Sequence, residues 1–424
     1  MGTSVIFVNR FFHPDHSATS QMLTDLAVAL ARCGVTVKVV ASRSCYDDPG
    51  AAYPRRGNVN GVEIHRVWTT RFGRASLPSR AVDYLTFYLS ASAAVFRLAR
   101  RRDTVVAKTD PPLLSVPLVS IARFKRAIPA NWLQDVFPEV AVKLGLPVPE
   151  WAAAPLRFLR NWSLRLADFN VAISDSMARY LEGQGVPGSR IRVVHNWSEG
   201  VAPVPPTENE LRRQWGLADR FVVGYSGNMG RAHDLEPVLA AAKRLQSRRG
   251  DVVFLFIGGG KQRSSLEREA EKMRLTNVLF KPYQPRAQLA QSLGAADVHI
   301  VSLRPEVEGL VVPSKFYGIA AAGRPMVFIG ARSGDLGRLI LQEQCGHVVE
   351  PGDVDGLTRV VDDMATDAVR RREMGKRARR MFEQRFTKDR ATAEWLQLLG
   401  VTAAAGHDEL EIRGGSVAAQ VAGA

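Results

Sequence analysis

Residues 305 to 325 combine side chains suited to binding a charged group. An apolar run, Val298 to Leu303, predicts a buried strand. Two glutamates follow it, and Ser314 and Lys315 stand where a small-residue helix is expected to begin. Free amides and the helix dipole favour negative charge at such a start. The stretch therefore predicts an anion site, with an ordinary surface loop as the alternative.

A glycine-containing loop in the second half of the chain has similar properties. Gly227 and Gly230 permit close approach of the backbone to a ligand, while Arg231 and His233 supply positive charge and donors suited to a diphosphate. Neither this loop nor the run that begins at Gly258 has the G-x-G-x-x-G spacing of dinucleotide sites. A flavin or nicotinamide cofactor is therefore disfavoured.

Two loops in the first half of the chain are further candidates. Residues 11–20 carry small and hydroxyl side chains before a helix, which would let amides approach a phosphate or sugar; the alternative is a simple N-cap loop. Residues 132–139 follow a strand and contain Asp135 and Glu139. One of these carboxylates could orient or deprotonate an acceptor hydroxyl, and the alternative is that Asp135 caps the next turn.

Alternating strands and helices are predicted to position these loops. Residues 1–198 and 210–386 each read as a doubly wound α/β domain with a parallel sheet, and the proline-rich residues 199–209 read as a linker. Residues 387–400 predict a terminal helix and 401–424 a loose tail. Because ligands bind at the carboxyl ends of parallel strands, the fold prediction is two Rossmann-like domains facing a cleft.

The composition favours a soluble protein with an anionic partner. The net charge is +15, of which +10 falls in residues 1–200, with 25 Lys and Arg against 15 Asp and Glu. No nucleic-acid module is recognisable, so a membrane surface is the preferred interpretation over nucleic acid. No apolar run is long enough to span a bilayer. Three cysteines without metal-ligand spacing, and no signal peptide, indicate a reducing cytoplasm.

Nearly all of residues 4 to 400 resembles the family 4 retaining glycosyltransferases of the GT-B fold. Within that family the chain is similar to the fucosamine-transferase-like branch, which builds capsule, colanic-acid and O-antigen polysaccharides. The motifs that carry the resemblance are residues 14–20, 134–139, 195–197, 225–230 and 312–315.

The resemblance implies transfer of a sugar with retention, without metal or cofactor, from a UDP- or GDP-linked donor in the C-terminal domain. The acceptor is implied to be a saccharide or a polyprenyl-diphosphate-linked saccharide on the N-terminal domain. Without a metal, the charge of the leaving diphosphate must be met by cations and amides. The implied catalytic residues are Asp135, Arg231, Glu308 and Lys315, and the acceptor-side residues are His16 and Glu139. The implied donor-binding residues are Ser17, Ala18, Thr19, Gly227, Asn228, Gly230, His233, Gly258, Lys281, Tyr283, Val312, Pro313 and Ser314, with Lys281 and Tyr283 bordering the nucleobase.

The sequence departs from the family pattern at three positions. The family carries two glutamates in an E-x7-E motif; Glu308 fills the first position, but Gly318 lies at the second. Asn228 and His233 occupy positions where an arginine and a lysine are expected. Two other functions therefore stay open: a nucleotide-sugar 2-epimerase, and an inactive nucleotide-sugar-binding subunit.

The basic first half predicts a peripheral location on the cytosolic face of the inner membrane. Aromatic and cationic side chains alternate in two segments, a combination suited to a bilayer interface. The alternative is that the aromatic residues pack in a core and the arginines form a solvated face. The residues concerned are Trp151, Arg157, Phe158, Arg160, Trp162 and Arg165 in one segment, and Arg97, Arg100, Arg101 and Arg102 in the other.

Overall fold

The computed structural model describes residues 3–15, 17–45, 48, 51–73, 77–146 and 148–401. The predicted acceptor-side residue His16 and residues 402–424 of the predicted tail lie outside these ranges. No helix in the described ranges is long and apolar enough to cross a bilayer.

The N-terminal half forms an eight-stranded sheet in the order β3-β4-β2-β1-β5-β6-β7-β8, parallel except for the β3–β4 pair. Its strands are β1 Ser4–Val8, β2 Thr36–Ser42, β3 Arg56–Val59, β4 Val62–Val67, β5 Thr104–Lys108, β6 Ile128–Trp132, β7 Phe169–Ala172 and β8 Ile191–Val193. Its helices are α1 Ala18–Arg32, α2 Leu77–Leu98, α3 Ser115–Phe124, α4 Glu139–Lys143, α5 Glu150–Leu166 and α6 Asp175–Gly183.

The C-terminal half forms a parallel six-stranded sheet in the order β11-β10-β9-β12-β13-β14. Its strands are β9 Phe221–Ser226, β10 Val252–Ile257, β11 Val278–Lys281, β12 Val298–Ser302, β13 Met326–Ile329 and β14 Gly346–Val349. The helices are α7 Glu210–Gln214, α8 Glu236–Gln246, α9 Arg263–Lys272, α10 Leu289–Gly294, α11 Lys315–Ala321, α12 Asp335–Gln342, α13 Val354–Thr366, α14 Ala368–Arg385 and α15 Lys388–Leu398.

Both sheets are covered by helices on each face, and for that reason their central strands are apolar runs rather than alternating patterns. In the N-terminal sheet, Val5 and Phe7 of β1 point to the face covered by α1, and Ile6 and Val8 point to the face covered by α2 and α3. Every side chain of β10 in the other sheet is buried. The two-domain α/β architecture was therefore predicted correctly.

The terminal helix α15 crosses back from the C-terminal half and packs in the N-terminal core. Trp395 is fully buried, and its ring lies 5.8 Å from that of Phe7 and 5.1 Å from that of Trp132. Ser198 and Thr387 form a parallel bridge where the chain passes between the two halves for the first and second time. The two crossings therefore run side by side.

Candidate functional site

Lys315 is the centre of the largest group of predicted site residues that the structure brings together. Its Nζ donates to the hydroxyl of Tyr225, at the end of β9, and lies 3.3 Å from Nε2 of His233 in the glycine-containing loop. It also lies 3.9 Å from the centroid of the Tyr225 ring. The lysine is largely buried, and burial lowers its pKa well below the usual value. A lysine in this setting is stabilised by any anion that reaches it.

The tautomer of His233 follows from its surroundings. Its Nδ1 faces the carbonyl oxygen of Ser302 on β12, so Nδ1 carries the proton and Nε2 is left as an acceptor toward Lys315. Burial, with the charge of Lys315 second, lowers the pKa of His233 to about 3. The histidine therefore stays neutral and does not supply the positive charge that the sequence suggested.

The glycine loops pack directly against one another beneath this group. A Cβ atom at Gly258 would lie 2.2 Å from the carbonyl oxygen of Gly227, and its φ of +134° is one that other residues rarely adopt. The Asn228 carbonyl accepts from the Tyr225 hydroxyl at 2.8 Å. Gly258 thus allows the loops after β9 and β10 to approach one another.

Tyr283 lies on the outer side of the same loops. Its ring is 59% exposed and sits within 3.3 Å of where Cβ atoms would stand at Gly258 and Gly259. The Nζ atom of Lys281 lies 5.6 Å from the centroid of the Trp215 ring. An exposed aromatic face beside a glycine loop can stack with a planar base.

Two domain models match the sequence of these halves. A glycosyl transferase 4-like domain matches residues 18–197, and a glycosyl transferases group 1 domain matches residues 207–381. Each half of the chain is therefore similar to a glycosyltransferase domain. The second model covers β9, the glycine loops and Lys315, and the first covers the loops of the N-terminal sheet from α1 onward.

Individual relatives agree with this assignment. The chain is 27% identical over 300 residues to the probable glycosyltransferase WbjE of Pseudomonas aeruginosa, covering 69% of this chain and 74% of WbjE. It is 32% identical over 171 residues to the putative colanic acid biosynthesis glycosyl transferase WcaI of Escherichia coli K12. That second match covers 39% of this chain and 42% of WcaI, less than half of either protein.

Solved structures agree at the level of the fold. Sucrose-phosphate synthase of Thermosynechococcus elongatus superposes with a TM-score of 0.75 at 17% identity, over 93% of this chain and 98% of that one. Anabaena HepE in complex with UDP and glucose gives 0.71 at 16% identity, over 94% and 99%. The predicted GT-B fold is thereby confirmed.

Asp135 lies on the N-terminal side of the domain contact. It pairs as an isolated antiparallel bridge with Val311, and Val136 N donates to the Leu310 carbonyl at 3.0 Å. Burial raises the pKa of Asp135 to about 6; the Thr109 hydroxyl opposes this shift and the charge of Asp110 adds to it. Two of the four candidate loops therefore meet across the domains.

Glu308 has a structural partner of its own. Its Oε1 accepts from the Asp335 amide at 2.9 Å, at the start of α12, and the carboxyl group lies against Gly334. Burial raises its pKa. Asp335 in turn accepts from Ser176 of the other domain, at 2.9 Å from N and 2.6 Å from Oγ. Glu308 therefore helps to position Asp335, which makes the contact with the other domain.

Glu139, suggested as an acceptor-side carboxylate, is buried and already paired. It accepts from Arg160, which is only 5% exposed, and from the Tyr180 hydroxyl at 2.9 Å. The same pair removes Arg160 from the suggested membrane-facing residues. Breaking a buried pair leaves an uncompensated charge, so the role of Glu139 and Arg160 is to stabilise the fold.

The remaining suggested residues divide between the two domains. Ser17 caps α1, accepting from Ser20 N at 3.3 Å, and so behaves as the simple N-cap that was the alternative. Arg231 and Ser314 are exposed, and the position of a Cβ at Gly318 points toward Leu293. Ala18, Thr19, Gly230, Val312 and Pro313 lie in loops or helix starts that follow β1, β9 and β12.

Two residues with strong interactions were missed by the sequence analysis. Tyr225 lies in the motif of residues 225–230 but was assigned no role, although it is the direct partner of Lys315. Lys108 ends β5 and is 2% exposed; its Nζ donates to the Thr19 carbonyl at 3.2 Å and lies 3.6 Å from the centroid of the Trp132 ring. Burial lowers the pKa of Lys108 to about 7. A lysine at the end of an apolar strand was the available signal.

Proposed function

We propose that this protein is a retaining glycosyltransferase that moves a sugar from a UDP- or GDP-linked donor to a saccharide acceptor in cell-surface polysaccharide synthesis. The acceptor is carried on polyprenyl diphosphate, and neither a metal nor a cofactor takes part. The observation that carries the proposal is the position of Lys315 beside Tyr225, His233 and the glycine loops. In this arrangement a lysine meets the charge of the leaving diphosphate.

Several features support the details of this proposal. WcaI, with its printed role in colanic acid biosynthesis, supports a polysaccharide product, and HepE was crystallised with UDP and glucose. Asp135 orients or deprotonates the acceptor hydroxyl, because a carboxylate with a pKa of about 6 is ionised at neutral pH and still basic enough to take a proton. Tyr283 stacks on the nucleobase.

The direct test is a panel of nucleotide sugars with a polyprenyl-diphosphate-linked acceptor, with release of nucleoside diphosphate as the readout. Release that depends on acceptor and survives EDTA is the expected result, with an α-linked product from an α-linked donor. Epimerised donor in reactions without acceptor would instead identify an epimerase. Donor binding without turnover on any acceptor would identify an inactive binding subunit, and absence of binding to every UDP- and GDP-sugar would overturn the proposal.

Because the proposed acceptor is anchored in a lipid bilayer, we propose that the enzyme binds the cytosolic face of an anionic membrane. Exposed apolar side chains concentrate on α2, α3 and α5, which pack side by side on one face of the N-terminal sheet. Arginines at the end of α2 and just after it are exposed beside them. The exposed apolar residues include Leu85, Leu89, Phe124, Trp151 and Phe158.

Replacing Arg97 and Arg101 together by glutamine is expected to weaken binding to anionic vesicles about 30-fold, because each basic residue near such a surface contributes about 1 kcal/mol. Co-sedimentation with phosphatidylglycerol vesicles at low salt measures the change. The matched control replaces the exposed Arg372 and Arg380 of α14, on the other domain, by glutamine. Equal losses in the two double variants would show a general charge effect and remove this face as the docking surface.

A further inference from the structure

Lys315 is largely buried, and its surroundings supply little negative charge. The titratable groups that face its Nζ are the phenol of Tyr225 from β9 and the imidazole of His233 from the following loop. Burial, and after it the charge of Tyr283 outside this pair, raises the pKa of Tyr225. In the described part of the chain no carboxylate forms an ion pair with Lys315, and Glu308 is held at the start of α12.

Without an anion, this environment favours the neutral amine. A phenol and the acceptor nitrogen of a neutral imidazole stabilise an ammonium far less than a carboxylate does, and burial removes part of its hydration. The direction of the lysine pKa, lowered by burial, agrees with this geometry. His233 cannot share the role, because its Nδ1 proton is committed to the Ser302 carbonyl.

A nucleotide-sugar donor would reverse that preference. Its diphosphate carries negative charge that would lie beside Nζ, and opposite charge at contact distance raises the pKa of an amine. The ammonium then has both a counter-ion and its two neutral neighbours as hydrogen-bond acceptors. The site would therefore hold different protonation states when empty and when filled.

We infer that binding of a nucleotide-sugar donor is coupled to the uptake of one proton by the Nζ atom of Lys315. The proton comes from solvent and adds to the amine lone pair, and no bond in the donor breaks. This inference rests on the proposed function, since it requires the diphosphate to reach Lys315. Donor affinity then falls as the pH rises, because the amine is protonated in the complex and neutral in the empty site.

Isothermal titration calorimetry with UDP-glucose and GDP-mannose, without acceptor, tests the coupling. The observed enthalpy is measured at one pH in phosphate-free buffers of different ionisation enthalpy, such as HEPES and Tris, and the slope gives the number of protons taken up. Nucleotide sugars are the correct probes because their phosphates have no ionisation near neutral pH, whereas a terminal phosphate ionises near pH 6. A slope close to one proton is expected for the wild-type protein.

Two variants locate the proton. Lys315→Arg is expected to bind the donor with a slope near zero, because a guanidinium is charged in both states. His233→Gln is expected to keep the slope, since the histidine stays neutral. Measured donor binding with no proton uptake in the wild-type protein would overturn the inference and leave the proposed function intact. Uptake that persists in Lys315→Arg would assign the proton to another group, and failure of every nucleotide sugar to bind would overturn the proposed function itself.

The pH dependence of the wild-type affinity gives the same answer without any variant. Between the pKa of Lys315 in the empty protein and its pKa in the complex, one coupled proton makes the affinity fall about tenfold for each unit of rising pH. An affinity independent of pH across the range from 6 to 9 would contradict the coupling.

Discussion

Replacing Lys315 by methionine is expected to lower kcat/KM for sugar transfer by about 10²-fold to 10³-fold, the usual cost of removing one group that stabilises developing charge. The charge on the diphosphate increases as the glycosidic bond breaks, so the loss should fall mainly on kcat. Lys315 is well placed for this because, among the described residues, its Nζ contacts neutral partners alone, Tyr225 and His233. Steady-state kinetics with saturating acceptor measure the effect.

The same substitution should leave the fold intact. A largely buried lysine without a carboxylate partner destabilises the folded protein, so methionine should keep or raise the melting temperature. The matched control is Lys272→Met on the exposed surface of α9, where the ammonium pairs with Glu269 and turnover should not change. A near-normal rate for Lys315→Met, at unchanged melting temperature, would remove this residue from the catalytic group.

Replacing Asp135 by asparagine is expected to lower kcat by about 10²-fold to 10⁴-fold, the range typical of removing a general base. Because the pKa of this carboxyl is raised to about 6 by burial, the wild-type rate should fall as the pH drops below about 6, where the base becomes protonated. The variant should lose this acidic limb together with the activity. A pH profile of kcat from about 5 to 9 tests both statements.

Substitutions of Asp135 and Glu139, the two carboxylates of this loop, should have opposite effects on the stability of the protein. A pKa raised in the folded state means that the charged form costs stability above pH 6, so Asp135→Asn should be as stable as the wild type or more stable at pH 8. Glu139→Gln breaks the buried pair with Arg160 and should destabilise the protein by about 3 to 5 kcal/mol. Thermal unfolding that ranks these two variants in the opposite order would contradict the assignment of roles.

Local sequence patterns predicted the fold because parallel α/β domains repeat one local rule. Each strand is a short apolar run and each crossover a helix, so the domain order followed from residues close together in the chain. One strand, Arg56–Val59, was missed because it is polar and exposed at the sheet edge. Its hairpin partner follows an Asn60-Gly61 turn with positive φ at both residues, a signal that was present in the sequence.

The candidate site was predicted less completely because its contacts join distant residues. Lys315 was identified from its own motif, but its partner Tyr225 is 90 residues away, and no local pattern pairs them. The helix that begins at Lys315 spans only seven residues, so its dipole contributes less than expected, and a bound anion depends on the lysine itself. The structural role of Glu139 was not predicted, because it depends on a partner 21 residues away.

The return of α15 to the N-terminal core makes that half of the protein dependent on the last helix described. Val5 and Phe7 emerge first from the ribosome, yet the aromatic cluster that buries them includes Trp395. The face of the N-terminal core that α15 covers is therefore completed only when synthesis has passed Leu399, whereas the sheet of the C-terminal half is complete earlier, at β14. A nascent chain halted before Lys388 should stay sensitive to protease in its N-terminal half, and the order of maturation should be opposite to the order of translation.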